Sequence, residues 1–414
     1  MHFADLHLHS HYSRAVSQNM TIEELARNAK IKGLDILGTG DFTHPLWLTE
    51  LKKRLSFENG IYDFDGMKFI LQAEIALVYT QGGKGRRIHH ILLAPSFDAV
   101  DQINEFLDKK GRRDYDGRPI FGFSSIELVE VMQSISQDIE VIPAHSFTPW
   151  FGMFGSMSGF DSLSECFGDK AKHIHATETG LSSDPLMNWR LSQLDNITLI
   201  SNSDSHSPYP HRIGREANAF DLKEVNYENI IDAIRKKKLA FTVEVSPEYG
   251  KYHIDGHRNC NFSCSPQESA KLKNLCPRCG TKMTIGVLHR IEELADRPEG
   301  FVPKDAVPYK SLIPLSELIA AATGSGVVSK KVAQLYNLLI DRFGSEFSVL
   351  LNAERADLLT VVGGPIADVI ISNREGKLKI IPGYDGVYGK LVLNEVQQPE
   401  QTAAKKKFTT LRDF

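Results

Sequence analysis

Between residue 1 and about residue 245 short apolar runs recur with helix-forming stretches between them, and this alternation restricts the fold more than any other feature. The runs are FADLHLH, LDILGTGD, MKFILQAE, HHILLAP, IEVIPAHS, HIHATET, ITLISNSDSH and LAFTVEV. After the first comes TIEELARNAKIKG, where Thr21 and Glu24 form a capping box and Gly33 closes the helix. Ser124 with Glu127 starts another helix, and Asn226 caps NYENIIDAIRKKK. Strands alternating with helices predict an α/β fold built on a parallel sheet or barrel. Asp41, Glu74, His145, Glu178, Asp204 and His206 each stand at or just past the end of an apolar run. In a βα-barrel those strand ends converge on one rim, so residues far apart in sequence meet there.

The first run places Asp5, His7 and His9 at every second position, a spacing that aims three polar groups to one side of a strand while Leu6 and Leu8 pack the other. A lone His-x-His is more often structural than metal-binding. Imidazoles joined by carboxylates on one rim are instead a donor set for zinc, manganese or iron.

The motifs DLHLHS, GTGD, QAE, HHILLAP, PAHS and SDSH, in this order, resemble the PHP superfamily of metal-dependent phosphoesterases over roughly residues 1 to 245. The resemblance implies a distorted PHP-type βα-barrel with phosphoester hydrolysis at two or three divalent ions: zinc, manganese, magnesium or iron. It assigns His7, His9, Glu74 and Asp204 to a first ion and to catalysis, and Glu74, His90 and His145 to a second. His206 matches a third ion, with Asp41 standing where the superfamily usually has histidine. Glu178 shares the rim, either as a ligand or behind one, and His89 is a non-ligand neighbour of His90.

Four of the five cysteines follow the barrel region as C-x3-C-x11-C-x2-C: Cys260, Cys264, Cys276 and Cys279. Four thiolates closing a tetrahedron leave no open position, so a structural zinc ribbon is expected. Cys166 reads as an ordinary buried thiol. These signals divide the 414 residues into a barrel over 1–248, a ribbon over 249–295, a mainly helical DNA-binding domain over 296–395 and a polar tail over 396–414.

A net charge of −4 excludes a generally basic coat for nucleic acid, so local patches have to carry any such contact. Arg86 and Arg87 in GGKGRR are one candidate patch. Trp150 and Phe151, in a glycine-rich loop after His145, either stack on bases or pack beneath the loop. Gly363 and Gly364 form a turn that loosely resembles a helix-hairpin-helix element, although a plain helix-turn-helix packing unit fits equally.

Barrel, ribbon and the segments GGPIADVIISN and PGYDGVYGKL together resemble the endonuclease Q family of DNA-repair nucleases. That resemblance implies nicking 5′ to uracil, hypoxanthine, xanthine or an abasic site. Two rival readings are a small-molecule phosphatase of the histidinol-phosphate type and a non-catalytic PHP-based DNA-binding module. The final FTTLRDF resembles a sliding-clamp (PCNA) peptide through Leu411 and Phe414, with an ordinary frayed terminus as the other reading. With no long apolar run and no leader, the chain is expected to be a cytoplasmic monomer without membrane contact.

Overall fold

The computed structural model describes residues 1–393, so Leu411 and Phe414 lie outside the described residues. The chain begins with β1 (His2–Asp5), α1 (Ile22–Lys32), β2 (Ile36–Gly38) and α2 (Pro45–Arg54). It continues through β3 (Ser56–Glu58), β4 (Ile61–Phe64), β5 (Met67–Gln81), β6 (Lys84–Ala94), α3 (Phe97–Asp108), β7 (Ile120–Phe121), α4 (Ser125–Ile135) and β8 (Glu140–Pro143). Strands β9 (Ala176–Glu178), β10 (Thr198–Ile200), β11 (Ala217–Phe220) and β12 (Phe241–Glu244) complete this part.

The sheet is mixed where the sequence predicts parallel strands. β1, β2 and β5 run parallel, whereas β11 joins β1 and β12 joins β11 antiparallel. β5 and β6 form one long hairpin around Gly82-Gly83, and β8 adds antiparallel to β6. Leu8 bridges to Ser205 in parallel, which draws the segment after β1 alongside the segment after β10.

Alternation along the strands explains the burial. Ala4, Ile36, Ile70, Ile91, Ile142 and Ile200 join one apolar cluster, and their neighbours Leu37, Phe69, Leu71, Leu92, Val141 and Leu199 join another. Both faces of the sheet are therefore covered, as near-continuous apolar strands require. Thr21, Ser124 and Asn226 accept from the backbone N–H three residues on and Gly33 ends α1 at φ 96°, but Glu24 turns to Arg27 and Asn28, so the box expected at Thr21 forms only its first half.

β13 (Asp255–His257) and β14 (Phe262–Cys264) form a small hairpin, and β15 (Tyr309–Ser311) adds parallel to β12. Helices Leu315–Thr323, Lys330–Phe343, Glu346–Leu351 and Gly364–Arg374 follow. A fully buried ion pair ties this helical unit to the first helix: Lys32 Nζ lies 2.7 Å from Glu346 Oε1. Glu346 also accepts from Tyr336 Oη at 2.8 Å and from Leu315 N at 3.1 Å, while Lys32 donates to Pro210 O at 3.0 Å. Among the described residues no helix is long and apolar enough to cross a membrane.

Candidate metal centre

Two groups of metal-type donors share one carboxylate. His7, His9, Glu74 and Asp204 form the first, Glu74, His89 and His145 the second, with donor atoms in each group within 4.8 Å of one another. Glu74 projects from the middle of β5, Oε2 toward His7 and His9, Oε1 toward His89 at 2.7 Å and His145 at 3.2 Å.

His89, not His90, meets Glu74, which corrects the sequence assignment. Across the hairpin Ala76 faces His89 and Ile75 faces His90. Residues of equal parity share a face, so Glu74 and His89 fall together and His90 is turned away. His90 Nε2 instead bonds Ser125 Oγ at 2.8 Å beside the Phe167 ring, and burial pushes the imidazole down to about 3.

Asp41 and Glu178 stand behind the histidines, outside both donor groups. Asp41 Oδ1 lies 3.1 Å from His9 Nδ1, and its Oδ2 accepts from Ser10 N, Ser10 Oγ and Ser13 Oγ at 2.6 to 2.8 Å. Burial would raise this carboxyl, but His9 and Ser10 hold it below the usual range. With its lone pairs so engaged, Asp41 orients His9. Glu178 does the same for His7, both oxygens lying 3.1 Å from Nδ1 while it also accepts from Asn202 Nδ2 at 3.0 Å and His145 N at 2.7 Å.

His206 sits beside the cage with its Nδ1 3.0 Å from Asp204 O and its ring 4.7 Å from His9, and belongs to neither group. Asp5 ends β1 and turns away from the cage. It accepts from Ser203 N at 3.0 Å and Gly214 N at 2.8 Å, and burial pushes its carboxyl up to about 6.

The first group fits a cation. His7 Nε2 is buried with no hydrogen-bond partner, 3.6 Å from Glu74 Oε2 and 3.7 Å from Asp204 Oδ1. His9 Nε2 lies 3.3 Å and 3.0 Å from the same two carboxylates. A carboxylate on each Nδ1 fixes the ring so that Nε2 offers its lone pair inward, the support metal-bound histidines need. Burial opposes charging His7, yet Glu178, Glu74 and Asp204 drive it well above its ordinary value, as they would favour any cation there.

The backbone pays for this convergence with unusual conformations. Asp41, His145 and Asp204 have φ of 42°, 30° and 47°. Left-handed conformations at non-glycine residues cost on the order of 1–3 kcal/mol each and cluster at functional sites.

The cysteine cluster also differs from expectation. His257, Cys260, Cys276 and Cys279 bring their donor atoms within 4.8 Å, and His257 Nδ1 lies 3.3 Å from Cys279 Sγ. Cys264 is outside this group, packed with Cys276 and Met283 in a small apolar cluster. Three cysteines and one histidine remain a closed structural-zinc set. The signal that points to it in the sequence is a histidine three residues before Cys260.

Of the residues assigned to DNA contact, Arg86 is buried, paired with Glu165 at 2.8 Å and stacked 3.9 Å over Phe160, so it supports the loop. Arg87, Gly363 and Trp150 are exposed. Phe151 lies with its ring 4.4 Å from His89 and its carbonyl accepting from His89 N at 2.9 Å, which connects the aromatic loop directly to the second donor group. Gly364 opens the last long helix. Sequence reasoning missed Arg118, which reaches Glu74 Oε2 at 3.0 Å from a polar loop with no periodicity to mark it.

The MJ0043 C-terminal domain family matches residues 314–377. The whole chain is similar to the crystal structure of the lesion-specific endonuclease PfuEndoQ from Pyrococcus furiosus, at 37% identity and TM-score 0.86 over 95% of both chains. It is likewise similar to endonuclease Q in complex with a 27-mer duplex carrying an abasic lesion at the active site, at 38% identity and TM-score 0.86 over 95% of this chain and 96% of that one. Among curated proteins, the uncharacterized protein MJ0043 of Methanocaldococcus jannaschii is 37% identical over 250 residues. That match takes in 59% of this chain but only 31% of MJ0043, so the chain spans about a third of that relative's length.

Proposed function

The chain belongs to the endonuclease Q family, and from that premise we propose that it is a metal-dependent endonuclease that hydrolyses a phosphodiester of damaged duplex DNA, abasic sites among its substrates. The single observation that carries this reading is the buried cage in which Glu74 serves two donor groups while His7 Nε2, facing Glu74 and Asp204, has no hydrogen-bond partner. His7, His9, Glu74 and Asp204 would hold one ion, and Glu74, His89 and His145 a second. Divalent ions so held activate water near neutral pH and neutralise the charge that builds on the phosphate during displacement.

The protein's own groups do the positioning. Glu178 and Asp41 hold the Nδ1 protons of His7 and His9, so neither ring can turn its lone pair away. Glu74, fully buried, is held well below the usual carboxylate range despite the burial that opposes it, chiefly by His89 and Arg118. It therefore stays an anion through the working pH range.

Family resemblance extends the substrates to uracil, hypoxanthine and xanthine, with the cut on the 5′ side. A damaged base has to leave the stack, at a cost of about a few kcal/mol that is least at mispaired positions. Deamination turns an amino donor into a carbonyl acceptor, so a pocket of N–H donors accepts the lesion and leaves an undamaged base unpaired. Phe151 lies against His89 of the second donor group, and the neighbouring Trp150 is exposed with its ring 5.7 Å from Tyr252, so this loop is where an extruded nucleotide would pass.

The test is a set of labelled duplexes carrying one uracil, one inosine, one abasic site or none, incubated with the protein and Mn²⁺. Lesion-dependent nicks are expected, with His9→Ala and Asp204→Ala retaining DNA binding but cutting at least about 100-fold more slowly. Cleavage by either variant at the parent rate would defeat the assignment.

A further inference from the structure

Among the described residues, Arg118 is the one permanent cation paired with the shared carboxylate. Its Nη1 donates to Glu74 Oε2 at 3.0 Å, the oxygen that also faces His7 and His9 at 3.6 and 3.3 Å. Glu74 is fully buried, whereas the Arg118 side chain is 28% exposed, so the guanidinium bridges the cage and the solvent side where DNA must arrive. A guanidinium carries five N–H donors in a rigid fork. Apart from that bond to Glu74, no other N–H of the Arg118 fork has a protein acceptor among the described residues.

The loop carrying Arg118 is built to bring it there. Gly117 N donates to Tyr12 O at 3.2 Å, Thr43 Oγ1 donates to Gly117 O at 3.1 Å, and Arg118 N donates to Asp116 Oδ1 at 3.2 Å. A Cβ on Gly117 would fall 2.2 Å from both Asp41 Oδ2 and Ser13 Oγ. Only glycine lets the backbone pass so close over the carboxylate that orients His9, and the next residue is then delivered onto Glu74.

We propose that Arg118 is a phosphate-binding cation of the cleavage site and that, without metal, its guanidinium occupies the Glu74 oxygen a metal ion takes, so that arginine and metal compete. Metal on Glu74 frees the fork, whose planar donors suit two oxygens of a phosphate. The free protein thus keeps Glu74 neutralised, and the loaded protein presents the same charge to DNA. This inference rests on the functional reading above and adds a residue with two partners in sequence.

The role separates from a merely structural one because its effects have opposite signs. In the full-length chain, Arg118→Gln should bind Mn²⁺ about 3- to 10-fold more tightly in calorimetric titration of the metal-free protein, since a competitor for Glu74 is gone. In saturating Mn²⁺, on an abasic duplex whose scissile linkage is made non-hydrolysable, the same variant should bind more weakly, with its log–log salt slope reduced by about 1 for one lost phosphate contact. Its single-turnover nicking should fall at least about tenfold. Arg118→Lys, which keeps the charge but loses the fork, should hold Mn²⁺ affinity near the parent and regain only part of the nicking rate.

Unchanged or weaker Mn²⁺ binding by Arg118→Gln overturns the competition, and an unchanged salt slope overturns the phosphate contact. The parent protein tests the functional reading, while the variant-to-parent ratio tests this inference. A parent that binds Mn²⁺ but cuts no lesion duplex defeats only the reading, and a parent that takes up no Mn²⁺ defeats both.

Discussion

Glu178→Gln changes one atom behind the cage, and the surrounding hydrogen bonds dictate its consequence. Three donors converge on the two carboxylate oxygens: His7 Nδ1, Asn202 Nδ2 and the backbone N–H of His145. Glutamine offers one oxygen and one NH₂. If the oxygen stays with His145, the new NH₂ faces the Asn202 amide; reversed, it faces the His145 N–H. Asn202 cannot turn to help, because its Oδ1 already accepts from Leu6 N at 2.8 Å and Asn218 Nδ2 at 2.9 Å. One buried donor is therefore stranded in either rotamer, at a cost of about 1–3 kcal/mol. His7 also loses the anion that fixes its Nδ1 proton, and loss of such an outer partner lowers metal affinity by about 10- to 100-fold. Calorimetric titration of metal-free protein with Mn²⁺, alongside thermal melts, measures both effects. Glu178→Gln binding Mn²⁺ within about threefold of the parent would refute the orienting role.

Further variants address the remaining assignments. His89→Ala should weaken Mn²⁺ binding at least about tenfold, whereas His90→Phe should leave it within about threefold and alter only stability; the reverse ranking would restore His90 as the ligand. Lys32→Met leaves the buried Glu346 carboxylate without its cation and should destabilise the fold by about 3–5 kcal/mol in denaturant titration, with a loss below about 1 kcal/mol counting against the pair. Burial pushes the Glu244 carboxyl up to about 8, far above the ordinary 4.5, so its folded-state preference is for the protonated form. Its contribution is fully present below the unfolded pKa near 4.5 and lost as pH rises through 8, so Glu244→Gln should gain on the parent across that window and converge with it at low pH. Melting temperatures at intervals between pH 4 and 9 check the sign.

The strand-end donors were legible because a metal centre accepts few residue types and a sheet presents them at predictable places. His7, His9, His145 and Asp204 follow from that logic, whereas Glu74 stands in the middle of β5, which runs on to Gln81. The motif HHILLAP alone does not separate His89 from His90, because it leaves the register of that strand open. Gly82-Gly83 supplied the missing information: a two-residue turn makes β5 and β6 a hairpin, and counting back from it sets His89 on the Glu74 face. Asp41 stands at the expected rim but behind His9 in place of a metal, and Glu178 takes the second of the two positions the sequence leaves open, since the same carboxylate can grip an ion or the imidazole that grips it. Cys264 and His257 changed places because cysteine spacing says nothing about which thiol a short hairpin turns inward. Arg118 was invisible for a different reason: its position depends on how closely Gly117 can pass Asp41, a tertiary contact with no trace in local pattern.

The ion pair between Lys32 and Glu346 has a practical consequence for anyone who would dissect this chain. Cutting away the helical half to obtain a minimal nuclease would leave an ammonium stranded in a greasy hole, and the complementary piece would carry an orphaned carboxylate. Each fragment should be prone to precipitate, and co-expression of the two halves should recover soluble material that neither yields alone.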